Sequence, residues 1–353
     1  MKNSKLNEPK AEKIEKVLSI HGDERVDEYY WLSKRGDKKV LDYLNSENKY
    51  RKELMKDYEN LEKDIFNEIK SRIKEDDSSV PYFDNKFFYY TRYEKDKQYP
   101  IYCRKKGSLD SKEEILIDAN IMSEGHEYFR IGDIEISPDN KIMAYSVDTV
   151  SRRIYTIHFK NLETGKISSK KIPNTSGSIT WANDNKTIFY NLKDLETLRT
   201  ERVMRYDLSK DGSEKEIYYE EDETFSAYSY KTKSDKFIVI GSSATLSQEY
   251  RYIDASNPNG DFILFDQRVD GLEYSISHFK NKWYILTNKD NATNFKLMVC
   301  DEKSTNKDNW KEFISHSEET LLEGIDIFDD YLVITERNNG LRRINIKPVS
   351  YTH

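Results

Sequence analysis

Asp139-Asn140-Lys141-Ile142-Met143-Ala144-Tyr145 sets a tight polar turn directly against a run of apolar residues, and the arrangement recurs along the chain. Its counterparts are Asp84-Asn85-Lys86 before Phe87-Phe88-Tyr89-Tyr90, Asp184-Asn185-Lys186 before Thr187-Ile188-Phe189-Tyr190, and Ser234-Asp235-Lys236 before Phe237-Ile238-Val239-Ile240. Lys280-Asn281-Lys282 before Trp283-Tyr284-Ile285-Leu286 and Phe328-Asp329-Asp330 before Tyr331-Leu332-Val333-Ile334 bring the count to six. The central turn residues 85, 140, 185, 235, 281 and 329 are spaced by 55, 45, 50, 46 and 48 residues. Asn and Asp tolerate the left-handed backbone of a tight hairpin and brace it with their side chains. The runs that follow have the β-branched and aromatic character of strands.

Each repeat offers a further strand after a polar connection: Tyr155–Phe159, Val203–Tyr206, Tyr250–Ile253, Leu297–Val299 and Leu341–Ile344. Two to four strands in a period near fifty residues is the signature of a propeller blade. One blade cannot cover both faces of its own sheet, so blades stack around an axis. A β-sandwich with accidental spacing is the competing reading.

The region before the repeats differs in kind. From Asp37 to about Lys74 there is no Gly or Pro, and Leu54, Tyr58, Leu61, Ile65, Ile69 and Ile73 fall on one stripe of a helix. Asp76, Asp77, Ser78, Ser79 and Pro81 end it. The chain thus divides into a helical N-terminal extension, 1–76, and a β-domain, 77–353. The final Lys347-Pro348-Val349-Ser350-Tyr351-Thr352-His353 reads as a strand entering a connection, so the β-domain is expected to be truncated before its last blade is complete.

Composition narrows the function classes. The net charge of −7 argues against nucleic acid, which needs a clustered basic surface. A mild acidic field could attract cationic peptides, although ordinary solubility charge explains it as well. No stretch approaches eighteen apolar residues, so no membrane association is expected. Met1-Lys2-Asn3-Ser4-Lys5-Leu6 lacks the apolar core of a secretory signal. Cys103 and Cys300 read as reduced, buried thiols, and the expected location is the cytoplasm. The sequons at Asn174, Asn185 and Asn291 are then chance matches.

Several stretches resemble the prolyl oligopeptidase family of serine peptidases. They are Tyr29-Tyr30-Trp31-Leu32 after His21-Gly22-Asp23, the Ser71-Arg72-Ile73-Lys74-Glu75-Asp76 run leading to Val80-Pro81, and Tyr90-Thr91-Arg92. Gln98–Arg104, Glu124–Phe129 and Leu321-Leu322-Glu323-Gly324 with Glu336-Arg337 resemble the oligopeptidase B group within it. The likeness runs from about His21 to Ile346. It implies a seven-bladed propeller; with about six blades recognisable from the repeats, the expected fold is mainly β, an incomplete seven-bladed propeller preceded by the N-terminal helical segment. It also implies an α/β-hydrolase domain as the packing partner, the N-terminal segment crossing to it. The activity implied is cleavage of short peptides after Arg or Lys, with no metal and no organic cofactor.

The chemistry expected in this chain itself is none: no catalytic, cofactor-binding or metal-binding residue is assigned. The nucleophile elbow of an α/β-hydrolase is a Gly-x-Ser-x-Gly turn, and neither Gly177-Ser178 nor Gly241-Ser242-Ser243 supplies one. The implied Ser, Asp and His would lie beyond residue 353. Among His21, His126, His158, His278, His316 and His353, none pairs with another His or Cys at metal-ligand spacing. His126 is expected to pack a loop. Glu220-Glu221-Asp222-Glu223 could face a substrate channel, but such a run is more often a solvated turn. Asp290-Asn291 does not match a calcium loop. The role left is physical: a propeller over an active site admits flexible short peptides and excludes folded proteins. A stand-alone propeller acting as an interaction scaffold is the alternative, though the Gly-His and Trp-Asp marks of WD40 repeats are missing.

Overall fold

The computed structural model describes residues 7–210 and 213–348. The stretches 1–6 and 349–353, which carry the readings of the N-terminal signal, the final connection and His353, lie outside the described residues. The chain divides into two compact units, Met1–Asp77 and Ser78–His353.

In the first unit a hairpin pairs Lys16–Ile20 with Asp23–Asp27, turning at His21 and Gly22, both at positive φ. Trp31 is buried in the following 3-10 turn, Tyr30–Ser33, and its indole N–H donates to the Glu12 carbonyl at 2.8 Å. The helical segment starts where expected, with the Asp37 carboxylate accepting the Lys39 amide at 2.8 Å as an N-cap. It is not one helix. Lys38–Met55 and Glu59–Ser71 are separated by a 3-10 turn, Lys56–Tyr58. Met55 and Tyr58 on either side of the turn have ψ near zero, which tightens the backbone without any Gly or Pro. Every residue of the apolar stripe (Leu54, Tyr58, Leu61, Ile65, Ile69, Ile73) is between 49 and 61 % exposed.

The described residues of the second unit form a meander of antiparallel strands gathered into six blades. Blade 1 comprises Tyr82–Asp84, Phe87–Arg92, Ile101–Lys106 and Glu113–Asp118. Blade 2 begins with Arg130–Ile136, Ile142–Asp148 and Tyr155–Asn161, and blade 3 ends with Thr187–Lys193, Thr200–Asp207 and Glu214–Tyr219. The two blades share one long strand, Ile167–Trp181. Its first part pairs with blade 2 (Ile172 opposite Ile157) and its last part with blade 3 (Ile179 opposite Tyr190). The register shifts on both sides of Thr175, where Asn174 and Gly177 adopt positive φ and turn the strand from one blade to the next. Blade 4 comprises Ser226–Lys231, Phe237–Ser243, Gln248–Asp254 and Ile263–Asp266. Blade 5 comprises Tyr274–Phe279, Lys282–Thr287, Lys296–Asp301 and Lys311–Ile314. Among the described residues blade 6 comprises Thr320–Ile327, Tyr331–Asn338 and Leu341–Pro348.

The apolar runs that mark the repeat are the second strands of the blades. They are apolar at consecutive positions because both their faces are covered. Ile188 and Tyr190 face blade 2 while Phe189 faces blade 4. Phe237 and Val239 pack toward Trp283 and Ile285 of blade 5, whereas Ile238 and Ile240 pack toward blade 3. Tyr284 joins Leu332 and Ile334 of blade 6, and Phe87 and Tyr89 join Met143 and Tyr145. Five apolar clusters thus join successive blades. Among the described residues none joins blade 6 to blade 1, and the ring of sheets is not closed. Tyr82 and Phe83 of blade 1 and Leu341, Ile344 and Ile346 of blade 6 are at least 60 % exposed.

The polar turns join first to second strands and link the blades as well. Asn85 donates to the Pro138 carbonyl at 2.7 Å, the Asn185 side chain accepts the Asp139 amide at 2.7 Å, and Asn183 donates to the Asp235 carbonyl at 2.9 Å. The central residue has positive φ in the first four turns, Asn85, Asn140, Asn185 and Asp235. In the fifth turn the left-handed residue is Lys280, one position before the Asn281 expected. The sixth closes through the Phe328 amide and Tyr331 carbonyl with no left-handed residue.

Candidate functional site

The first strand of each blade is the one nearest the axis, and four of them wall a common cavity of about 820 Å³. Asp84 and Asn85 come from blade 1, Asp133 and Glu135 from blade 2, Ser178 and Thr180 from blade 3, and Tyr230, Lys231, Lys233 and Asp235 from blade 4 and its turn. A second cavity of about 450 Å³ shares Asp84, Asp133 and Glu135 and adds the rings of Tyr82, Tyr89, Tyr90 and Tyr102. Tyr82 and Tyr89 stack with centroids 5.5 Å apart.

The lining is acidic, and its carboxylates are not equivalent. Asp133 accepts backbone amides from Ile179 of the neighbouring blade at 3.0 Å and from Ile134 at 2.9 Å. Burial still outweighs these bonds and raises its carboxyl above the ordinary range. Glu135, two residues on and on the same face, is half-buried, and among the described residues no donor reaches its carboxylate. Burial first, and the Asp133 charge second, push it up to about 8. Asp84 is also raised, by burial and then by Asp235. The cations are tied: Lys231 donates to the Asn183 side-chain oxygen at 3.0 Å and lies 3.7 Å from Asp235, and Lys233 pairs with Asp326 of blade 6.

The residues weighed from the sequence lie elsewhere. Glu220 of the acidic run neither faces the channel nor is solvated. It is 4 % exposed and accepts from Arg268 and from Tyr218, each at 2.6 Å, and from Ser242. Burial alone would raise its carboxyl, but these donors hold it down at about 2, so it clamps blade 3 to blade 4. Glu221, Asp222 and Glu223 are exposed. His126 lies 6.1 Å from the Phe129 ring, and His158 stacks on Tyr145 at 5.3 Å. His278 is buried between blades 4 and 5, with Nδ1 2.8 Å from the Ser234 hydroxyl and Nε2 3.2 Å from Glu302. His316 accepts the Asn294 amide at 3.2 Å. Cys103 and Cys300 are buried free thiols, raised by burial to about 11 and about 12. The channel carboxylates were missed by sequence reasoning. Their signal was a charged residue inside a short alternating strand, as in Ile134-Glu135-Ile136.

Residues 9–352 match the family described as Prolyl oligopeptidase, N-terminal beta-propeller domain. The chain belongs to this family. Its relatives include Dipeptidyl aminopeptidase BI of Pseudoxanthomonas mexicana, 38 % identical over 95 % of this chain and 49 % of the relative. Protease 2 of Moraxella lacunata is 34 % identical, again over 95 % of this chain and 49 % of the relative. Among solved structures, oligopeptidase B from Leishmania major superimposes with a TM-score of 0.91 at 30 % identity, covering 98 % of this chain and 51 % of that one. Oligopeptidase B from Trypanosoma brucei, with covalently bound antipain, gives 0.88 at 26 % identity over the same shares. The chain therefore spans about half the length of the curated relatives it matches. Among the described residues no helix is long and apolar enough to cross a membrane.

Proposed function

We propose that this chain is the propeller part of a serine oligopeptidase that cleaves short peptides after Arg or Lys. In this reading the catalytic Ser, Asp and His belong to a separate α/β-hydrolase domain, and the propeller restricts substrates by size. Residues 1–76 serve as the segment that packs on that domain, and 77–353 form the propeller proper. The observation that carries the reading is the extent of the match: nearly all of this chain corresponds to about half of each peptidase relative. The acidic channel adds support, because carboxylates in a partly desolvated passage favour cationic peptides over anionic ones. Two buried, reduced thiols support a cytoplasmic location.

The name of the Pseudoxanthomonas mexicana relative favours a second reading, release of dipeptides from a free N-terminus. A chimera joining this chain to the second half of that relative tests the size restriction. It is expected to cut unfolded peptides of a few residues and to leave folded proteins intact, and digestion of a folded protein at a comparable rate sinks the gating role. Blocking the peptide N-terminus separates internal cleavage from dipeptide release. Sequencing the gene past codon 353 tests the partner: a continuing frame with a Gly-x-Ser-x-Gly turn is expected, and a stop with no hydrolase frame leaves the scaffold reading.

A further inference from the structure

We propose that the carboxylates of the axial channel form a proton-operated switch, in which Glu135 is the group that changes charge and the junction of blades 1, 2 and 4 is the structure that responds. The geometry is a cavity of about 820 Å³ into which three elements aim like charges. Blade 1 presents Asp84, blade 2 presents Asp133 and Glu135, and the turn of blade 4 presents Asp235. Blade 3 faces the same space with Ser178, Thr180, Trp181 and Asn183, none of them charged. The phenols of Tyr82 and Tyr89, on the blade 1 side, stay neutral because burial raises both. Against these carboxylates stand two ammonium groups with other commitments, Lys231 on Asn183 and Asp235 and Lys233 on Asp326.

The carboxylates differ in how their charge is held. Asp133 accepts the Ile179 and Ile134 amides, which favour its charged form against the opposing effect of burial. Glu135 stands beside it with no donor among the described residues, and two like charges so placed cannot both ionise cheaply. The proton therefore resides on Glu135 near neutrality, consistent with a carboxyl pushed up to about 8 by burial and the Asp133 charge. When it leaves, a new negative charge joins those of Asp133, Asp84 and Asp235 around the cavity, and Lys231, the cation that offsets it, is shared with Asn183 and Asp235. Repulsion acts first against Asp133 within the strand Arg130–Ile136, whose register already shifts between Ile131 and Ile134. It acts next against Asp84 at the end of the first strand of blade 1 and Asp235 in the turn of blade 4, while Lys231 on the first strand of blade 4 opposes it in part.

The sign follows from linkage. Glu135 is raised above its unfolded value of about 4.3, so its contribution to stability is complete below that pH and is lost as pH rises through about 8. Glu135→Gln mimics the protonated carboxyl at every pH. Wild type and variant are expected to melt together at pH 5. By pH 9 the wild type should melt lower by about 4 °C or more. At that pH the amides of 130–136 and 226–231 should also exchange several-fold faster in the wild type than in the variant. Parallel melting curves from pH 5 to 9 overturn the proposal. Should the variant fail to fold, ¹³C-carboxyl NMR of the Glu-labelled wild type decides alone. A glutamate titrating between about pH 7 and 9 is expected, and completion of every glutamate titration below about pH 6 refutes the switch.

Discussion

Gly241 lies in the second strand of blade 4, beneath the ring of Tyr228. A methyl group added there would fall well inside van der Waals distance of the phenol carbons, and its other neighbours belong to the same ring. Tyr228 packs against the cluster that joins blades 4 and 5, so it has little room to yield. Gly241→Ala is expected to cost about 1–3 kcal/mol through overpacking, read as a lower urea midpoint. Gly324, in the first strand of blade 6, has no atom within 4 Å of the corresponding methyl position and no left-handed φ. Gly324→Ala should stay within about 0.5 kcal/mol of wild type. Equal losses at both positions would contradict this account of the packing. Glu220 makes a second, electrostatic case. Its carboxyl is depressed, so the stability it contributes is present above its unfolded value of about 4.3 and is lost as pH falls through about 2. Glu220→Gln should cost about 2 kcal/mol at pH 7, since charged hydrogen bonds from Arg268 and Tyr218 are given up. The penalty should shrink below pH 4. A penalty unchanged down to pH 2 would show that shape at this position matters and charge does not.

At the level of elements, the hairpin turns do two jobs that substitution can separate. Asn185 has φ of 62° and its side-chain oxygen accepts the Asp139 amide of the preceding blade at 2.7 Å. Asn185→Gly keeps the left-handed backbone and loses the bond, whereas Asn185→Ala loses both. The Ala variant should therefore be less stable by about 1 kcal/mol than the Gly variant, in paired chemical denaturation at pH 7. A ranking with Gly below Ala would mean the turn does not need its backbone conformation. These turns were legible in the sequence because Asn and Asp were followed at once by strand-forming residues, and each of the five spacings amounts to one blade. The strand Ile167–Trp181 was less legible. It serves two blades, and its bend at 174–177 depends on pairing with both neighbours, which no local pattern encodes. The break at Lys56–Tyr58 was hidden for a related reason: the apolar stripe keeps its spacing through a 3-10 turn, so periodicity reads as a continuous helix. The channel residues were the least legible. Asp84, the Asp133 and Glu135 pair, and Asp235 are some fifty to a hundred residues apart in sequence, and only the packing of blades 1, 2 and 4 around one cavity gives their charges a common space.

For the whole molecule, exposed apolar area is the feature from which behaviour in solution follows. The stripe from Leu54 to Ile73 is exposed throughout, Phe66 beside it is 63 % exposed, and Leu341, Ile344 and Ile346 stand open on the last strand of blade 6. Burying a side chain of this size is worth roughly 1.5–3 kcal/mol, and contiguous patches of this kind mark surfaces that associate. The chain by itself is therefore expected to self-associate in sedimentation velocity, with the weight-average mass rising with concentration. Two sources can be told apart. Leu61→Glu with Ile65→Lys places charges in the middle of the helical stripe, where the native side chains are already exposed, so the fold of either unit should be undisturbed. Ile344→Lys with Ile346→Glu does the same on the edge strand, where charge opposes strand-to-strand pairing. If the stripe drives association, the first pair yields a smaller species and the second changes little; if the open edge of blade 6 drives it, the order reverses. A monodisperse monomer that melts cooperatively without any substitution would show that neither surface is sticky enough to matter. The reading of the stripe as a docking face for a hydrolase domain would then lose its energetic basis.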